Sequence, residues 1–112
     1  MKNIFIVLVF ALVGLSSQAQ EKKNKNAKHD VGVNGICEQC KKRIEKAAYS
    51  VSGVKSAEYH LDDKMLHLII NEEKTSVADV KKAVAKVGHD TDDIKATYDD
   101  YKNLHHCCKY ER

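Results

Sequence analysis

Between residues 29 and 98 the apolar positions switch back and forth between a period of two and a period near 3.6. Val31 and Val33 alternate with polar neighbours over His29–Asn34, which predicts a short strand. Ile44, Ala47, Ala48 and Val51 then share one face of a helix predicted over Glu38–Val51, and Gly53 breaks it. Ala57, Tyr59 and Leu61 alternate over Val54–Leu61, and the polar turn Asp62-Asp63-Lys64 sends Met65–Asn71 back antiparallel with Leu66, Leu68 and Ile70 on one face. A second helical stripe follows in Val77, Val80, Ala83, Val84 and Val87. Ser76 and Asp79 open it as a capping box with a shorter acid, and Gly88 stands ready to cap its end. Ile94, Ala96 and Tyr98 alternate as a fourth strand. The order is βαββαβ, two split βαβ halves. The expected fold is α+β, a ferredoxin-like sandwich of two helices on a four-stranded antiparallel sheet.

The two ends of the chain do not share this patterning. Lys2, the apolar run Ile4–Leu15 and the small-residue site Ser17-Gln18-Ala19 read as a secretory signal cleaved after Ala19. A run of about a dozen residues is short of the roughly 20 needed to span a bilayer, so no stable membrane insertion is expected after cleavage. A retained N-terminal anchor is the alternative. Gln20–Lys28 is a polar, flexible leader. The expected organisation is therefore residues 1–19 signal, 20–28 leader, 29–98 folded domain and 99–112 a C-terminal extension. Export implies a periplasmic or secreted location, where thiols can oxidise.

Composition narrows the function. The formal charge is only +3, one unit of which is Lys2, and no basic stripe with interleaved aromatics occurs, so nucleic acid is not an expected partner. With no Trp or Pro, and with both Phe in the signal, the core must be aliphatic with a few Tyr. There is no Ser/His/Asp order, and Asp62-Asp63, Asp92-Asp93 and Asp99-Asp100 read as turn or strand-end residues, so the chain is not expected to be an enzyme.

What remains is four cysteines in two tight clusters, Cys37/Cys40 and Cys107/Cys108. Clustering suits a ligand set or a reactive pair better than a disulfide scaffold, although an even count in an exported chain keeps the disulfide reading open. Two thiols at i and i+3 at a helix start can converge on one ion, and the helix N-terminus favours the thiolate. Thiolates select Cu(I), Zn(II) or Hg(II) over Mg or Ca.

Val33-x-Gly35 leading into Cys37-x-x-Cys40, Ser52-Gly53-Val54 opening a strand, and Val87-Gly88-His89 closing a helix together resemble the heavy-metal-associated domain family. The likeness runs from about Asp30 to Tyr98. The family comprises small copper chaperones, N-terminal modules of copper ATPases and periplasmic mercuric-ion-binding proteins. The resemblance implies that Cys37 and Cys40 are the metal ligands. The family motif usually reads Gly-Met-x-Cys-x-x-Cys, with Met packed beneath the loop. Here the loop is one residue shorter and Gly35 falls in the Met slot, leaving Ile36 to fill that space or the loop to be looser. Thioredoxin-type sites, the redox alternative, resemble Trp-Cys-x-x-Cys facing a cis-proline, and the chain after the signal has neither Trp nor Pro.

In the family the loop holding His89 lies beside the metal loop, so His89 is a candidate third ligand or a hydrogen-bond donor to a thiolate. The extension offers His105, His106, Cys107 and Cys108, which either complete the Cys37/Cys40 site, form a second site or enter a disulfide. The expectation is an exported heavy-metal carrier for copper(I), with mercury(II) or zinc(II) as alternatives. It would exchange metal with a membrane transporter or efflux component, as a monomer or a metal-bridged dimer. Mercuric-ion scavenging and thiol–disulfide exchange are the competing functions.

Overall fold

The computed structural model describes residues 23–112; the expected signal and the first residues of the leader lie outside them. β1 (Ala27–Gly32), β2 (Val54–His60) and β3 (Met65–Ile70) form one antiparallel sheet in the order β1-β3-β2. α1 (Glu38–Tyr49) and α2 (Val77–Lys86) pack against each other, and α1 also packs on β2. β1 starts two residues earlier than its apolar alternation suggests. The leader is tied down there, with the Glu72 N–H donating to the Asn24 carbonyl and Ala27 opposite Ile70. No helix among the described residues is long and apolar enough to cross a membrane.

The alternation of the hairpin becomes burial directly. Ala57 and Tyr59 on β2 and Leu66, Leu68 and Ile70 on β3 face the core, where they meet Val31 of β1, Ile44 and Ala48 of α1, and Val80 and Val84 of α2. Asp63 sets the turn by accepting the Met65 N–H, and Lys64 takes a left-handed conformation at φ 57°. Ser76 caps α2 through the Asp79 N–H, as its spacing predicts.

The fourth strand does not form. Ile94–Thr97 runs as loop, and only an isolated bridge, Val33 to Thr91, joins this segment to the chain end of β1. The reason lies in the neighbouring side chains, which take the backbone groups that a ladder would use. The Thr91 hydroxyl bonds both the N–H and the C=O of Ile94, Asp90 accepts the Ala96 N–H, and Arg112 donates to the Ala96 carbonyl. Thr97 then caps a short helix, α3 (Tyr98–Lys102), by accepting the Asp100 N–H, which puts Tyr98 in solvent. The sheet therefore has three strands.

From α3 the chain doubles back over the open end of the domain. Gly88, at φ +103°, permits the close approach: a Cβ there would lie 2.7 Å from the Asp100 carbonyl and 2.9 Å from Leu104. Tyr110 is buried. Its hydroxyl donates to the Gly88 carbonyl and accepts the Asp90 N–H, both at 2.8 Å, and its ring lies between Tyr101 and His89. Arg112 grips Asp90 with two hydrogen bonds, at 3.0 and 2.9 Å, and lies over the Tyr101 ring. This clamp fixes the short 3-10 turn His106–Cys108 over the start of α1.

Candidate metal centre

The loop Val33–Cys37 joins β1 to α1 and is braced from both sides. The Val33 N–H donates to the Lys64 carbonyl and the Asn34 N–H to the Asp90 carbonyl. Below it, the Tyr59 hydroxyl donates to the Val33 carbonyl, with the Gly35 carbonyl also within reach. Gly35 lies against the Tyr59 ring and Ile44, where a Cβ would come within 3.1 Å of both. Tyr59 thus fills the space beneath the shortened loop. Ile36, the residue expected to fill it, points outward with 48% of its surface exposed.

Cys37 is the N-cap residue of α1 in an extended conformation, and Cys40 lies in the first turn, fully buried. The docked tail brings Cys108, also fully buried, to the same point. The Cys37 sulfur is 3.1 Å from that of Cys40 and 2.9 Å from that of Cys108, and all four cysteines are free thiols. Burial pushes the Cys37 thiol up. The thiols of Cys108 and Cys40 and the N–H groups of Cys40 and Gln39 outweigh it and bring it down to about 7. Cys40 goes the other way: burial, reinforced by Cys108, pushes it up to about 12. One sulfur of the triad is therefore ready to ionise near neutral pH, beside a neighbour that holds its proton.

Of the other candidate ligands, Cys107 lies at the rim of this triad and no histidine joins it. Cys107 is exposed and donates to the Gln39 side chain, 4.0 Å from the Cys108 sulfur. His105 and His106 are exposed. His89 is fully buried, and its Nδ1 donates to the Asn34 carbonyl at 2.8 Å, which steadies the metal loop from behind. Burial lowers its pKa, and the Nε2 atom is enclosed without a hydrogen-bond partner. In the sequence Tyr59 reads only as core, and no local motif marks Tyr110, Asp90 or Arg112, which place Cys108.

Three sulfurs with no oxygen donor suit a soft d10 ion. Metal–sulfur bonds near 2.3 Å would set the sulfurs about 4 Å apart, so the triad opens by roughly 1 Å to admit an ion. A split βαβ sandwich that gathers thiols at its first strand–helix loop defines a small metal-binding module with a soft-ligand site. The sequence matches the heavy-metal-associated domain over residues 31–90, and the chain belongs to that family. It is 33% identical over 61 residues to the copper chaperone CopZ of Staphylococcus epidermidis, a match that spans 54% of this chain and 90% of that one. Among solved structures it is similar to the N-terminal domain of a potential copper-translocating P-type ATPase from Bacillus subtilis in the Cu(I)-loaded state. That match has a TM-score of 0.56 at 28% identity, over 64% of this chain and 99% of that one. Oxidized MerP from Ralstonia metallidurans aligns equally well, with a TM-score of 0.56 at 25% identity over 59% of this chain and 93% of that one. The family match ends at residue 90, so Cys108 comes from chain outside it.

Proposed function

We propose that this protein is an exported Cu(I) carrier that holds the ion on Cys37, Cys40 and Cys108 and exchanges it with a membrane transporter or efflux component. The observation that carries the reading is the convergence of a tail thiol on the loop pair, with sulfur separations of 2.9 and 3.1 Å. The copper-chaperone and copper-ATPase likenesses support the choice of metal and the class of partner. Export rests on Lys2, the apolar run Ile4–Leu15 and the small residues ahead of Gln20.

Transfer proceeds by ligand exchange. Cys37 is the half-buried member of the triad, so an incoming thiolate reaches the ion on its side, bonds to it and displaces one cysteine at a time. Each released sulfur is free to take up a proton, and Cys40 does so more readily than Cys37 because burial pushes its thiol up to about 12 while that of Cys37 is brought down to about 7. A third ligand slows this exchange, since an ion on three thiolates has fewer open approaches than an ion on two.

The test is a Cu(I) titration of reduced residues 20–112 against a chromophoric chelator. One ion per chain is expected, lost in Cys37→Ser/Cys40→Ser, weakened in Cys108→Ser and unchanged in Cys107→Ser. Equal affinity in Cys108→Ser and the parent would remove the tail from the site. Failure of Cu(I) to outcompete the chelator, with tight Hg(II) binding in its place, would move the protein to the mercuric-ion reading that its likeness to MerP supports.

A further inference from the structure

We infer that the uncovered face of the sheet carries a second metal site, built from His60, Asp63 and His67, for a borderline divalent ion of the Zn(II) or Cu(II) kind. The site follows from the hairpin register. Leu66 and Leu68 face the core, so His67 between them faces outward, where it stands opposite Asp30 on one side and Glu58 on the other. His60 faces outward near the end of β2, opposite Met65, which brings its ring to a centroid distance of 4.6 Å from that of His67. The β2–β3 turn adds Asp63, whose Oδ1 is held by the Met65 N–H while its Oδ2 looks at His67. One ligand atom from each of the three residues lies within 4.8 Å of the other two.

Two features point to an ion rather than to chance proximity. First, His67 Nδ1 is 2.7 Å from an oxygen of Asp30. A carboxylate only accepts, so Nδ1 carries a proton; Nε2 shares its own with Asp63 in the metal-free protein, and an ion that displaces that proton would take the Nε2 lone pair and Asp63 together. The carboxylate–imidazole pairing of Asp30 with Nδ1 is the one that orients metal-bound histidines. Second, Nε2 is 3.4 Å from Asp63 Oδ2, and tetrahedral coordination at bond lengths of 2.0–2.2 Å sets ligand atoms about 3.4 Å apart. Two imidazoles and a carboxylate favour Zn(II), Cu(II) or Ni(II) over the soft ions of the thiol triad and over Mg or Ca. The thiols and this cluster therefore select different metals on one small domain. His67 and Asp30 remain 38% and 63% exposed at their side chains, so the site is open to solvent.

The test is a Zn(II) titration of the reduced full chain after the signal, followed at the ring nitrogens of each histidine by long-range proton–nitrogen NMR. The expected result is a saturable shift of His67 Nε2 and of one ring nitrogen of His60 at one equivalent beyond whatever the thiols take up. His60→Gln and His67→Gln should each abolish the shift in the other ring. Asp30→Asn, a positioning change, should weaken the site roughly ten- to a hundredfold and leave its ligands in place. If only His105 and His106 respond, or if His60 and His67 move without saturation up to millimolar Zn(II), the inference is overturned. Either result is independent of the Cu(I) reading, because no thiol is altered and each imidazole reports for itself.

Discussion

Replacing Tyr110 by Ala tests whether the tail is a separable, clamped element. The ring is 4% exposed and sits between Tyr101, at a centroid distance of 5.0 Å, and His89, at 5.7 Å. Truncating a buried aromatic costs about 3–5 kcal/mol. The change also strips the Gly88 carbonyl and the Asp90 N–H of their partner, and a buried group left unsatisfied costs about 1–3 kcal/mol. The rest of the tail is anchored by Leu104, Cys108 and the Arg112–Asp90 pair. Tyr110 joins the edge of the core cluster, and its polar and ring partners are Gly88, Asp90, His89 and Tyr101 rather than residues of β3, so the penalty is expected on docking rather than on global folding. Even the lower end of the truncation cost alone, about 3 kcal/mol, is on the order of a hundredfold in the docked-to-undocked ratio, which is therefore the minimum shift expected. Amide hydrogen exchange reads this residue by residue. The N–H groups of Leu104 and Cys108, bonded to the Tyr101 and His105 carbonyls, should exchange at least about a hundredfold faster, while those of β3 keep their protection. The Cys108 thiol should become open to alkylation, and Cu(I) affinity should fall to that of Cys108→Ser. Retained protection at Leu104 and Cys108 would refute the clamp. An equal loss across β3 would refute its separability.

Three further outcomes follow from single sites. His89 has a lowered pKa because it is buried, so the unfolded chain binds the proton first; its contribution to stability is complete above about pH 6.5 and is lost as pH falls below that. His67, raised by its bond to Asp30, acts in the opposite sense, so the urea midpoint of the parent should be compared with that of His89→Gln from pH 8 to 5, with the acid-side loss expected only in the parent. Gly88→Ala forces a side chain into a left-handed conformation and against the Asp100 carbonyl, and should lower stability by at least about 1 kcal/mol in urea unfolding while loosening the tail as Tyr110→Ala does. In reduced, metal-free protein the alkylation rate of Cys37 should rise with a midpoint near pH 7, whereas Cys40 should stay unreactive throughout that range; coincident titration of the two would show that their environments do not differ as described.

The parts of the fold that were legible are those where a local pattern also decides burial. The alternation through Ala57, Tyr59, Leu66, Leu68 and Ile70 specifies the hairpin, and every one of those residues is buried. Ser76 and the valine stripe specify α2 in the same way. Ile94, Ala96 and Tyr98 show the same alternation without becoming a strand. Their backbone partners are chosen by Asp90, Thr91 and Arg112, and Arg112 lies 16 residues beyond Ala96. A period-two pattern marks residues that can pair; it carries no sign of side chains that intercept their hydrogen bonds. The local cue against the strand was Thr97 with Asp100 three positions on, the spacing of a helix start.

At the metal centre the same division holds. The Cys37-x-x-Cys40 pair was readable because both thiols belong to one helix start, and spacing alone brings them together. Adjacency could not rank Cys107 against Cys108. In the 3-10 turn His106–Cys108, successive side chains leave the axis about 120° apart, so two neighbouring cysteines cannot both face one point. Which one does is decided by how the turn is rotated, and the rotation is fixed downstream by Tyr110 under Gly88 and Arg112 on Asp90. The consequence is asymmetric: Cys108 is enclosed against Cys37 while Cys107 faces solvent and Gln39. The cysteine pair that looks symmetrical in the sequence therefore splits into one thiol that the docked turn buries and one that the same turn leaves exposed. Loosening the clamp should change the reactivity of the first alone.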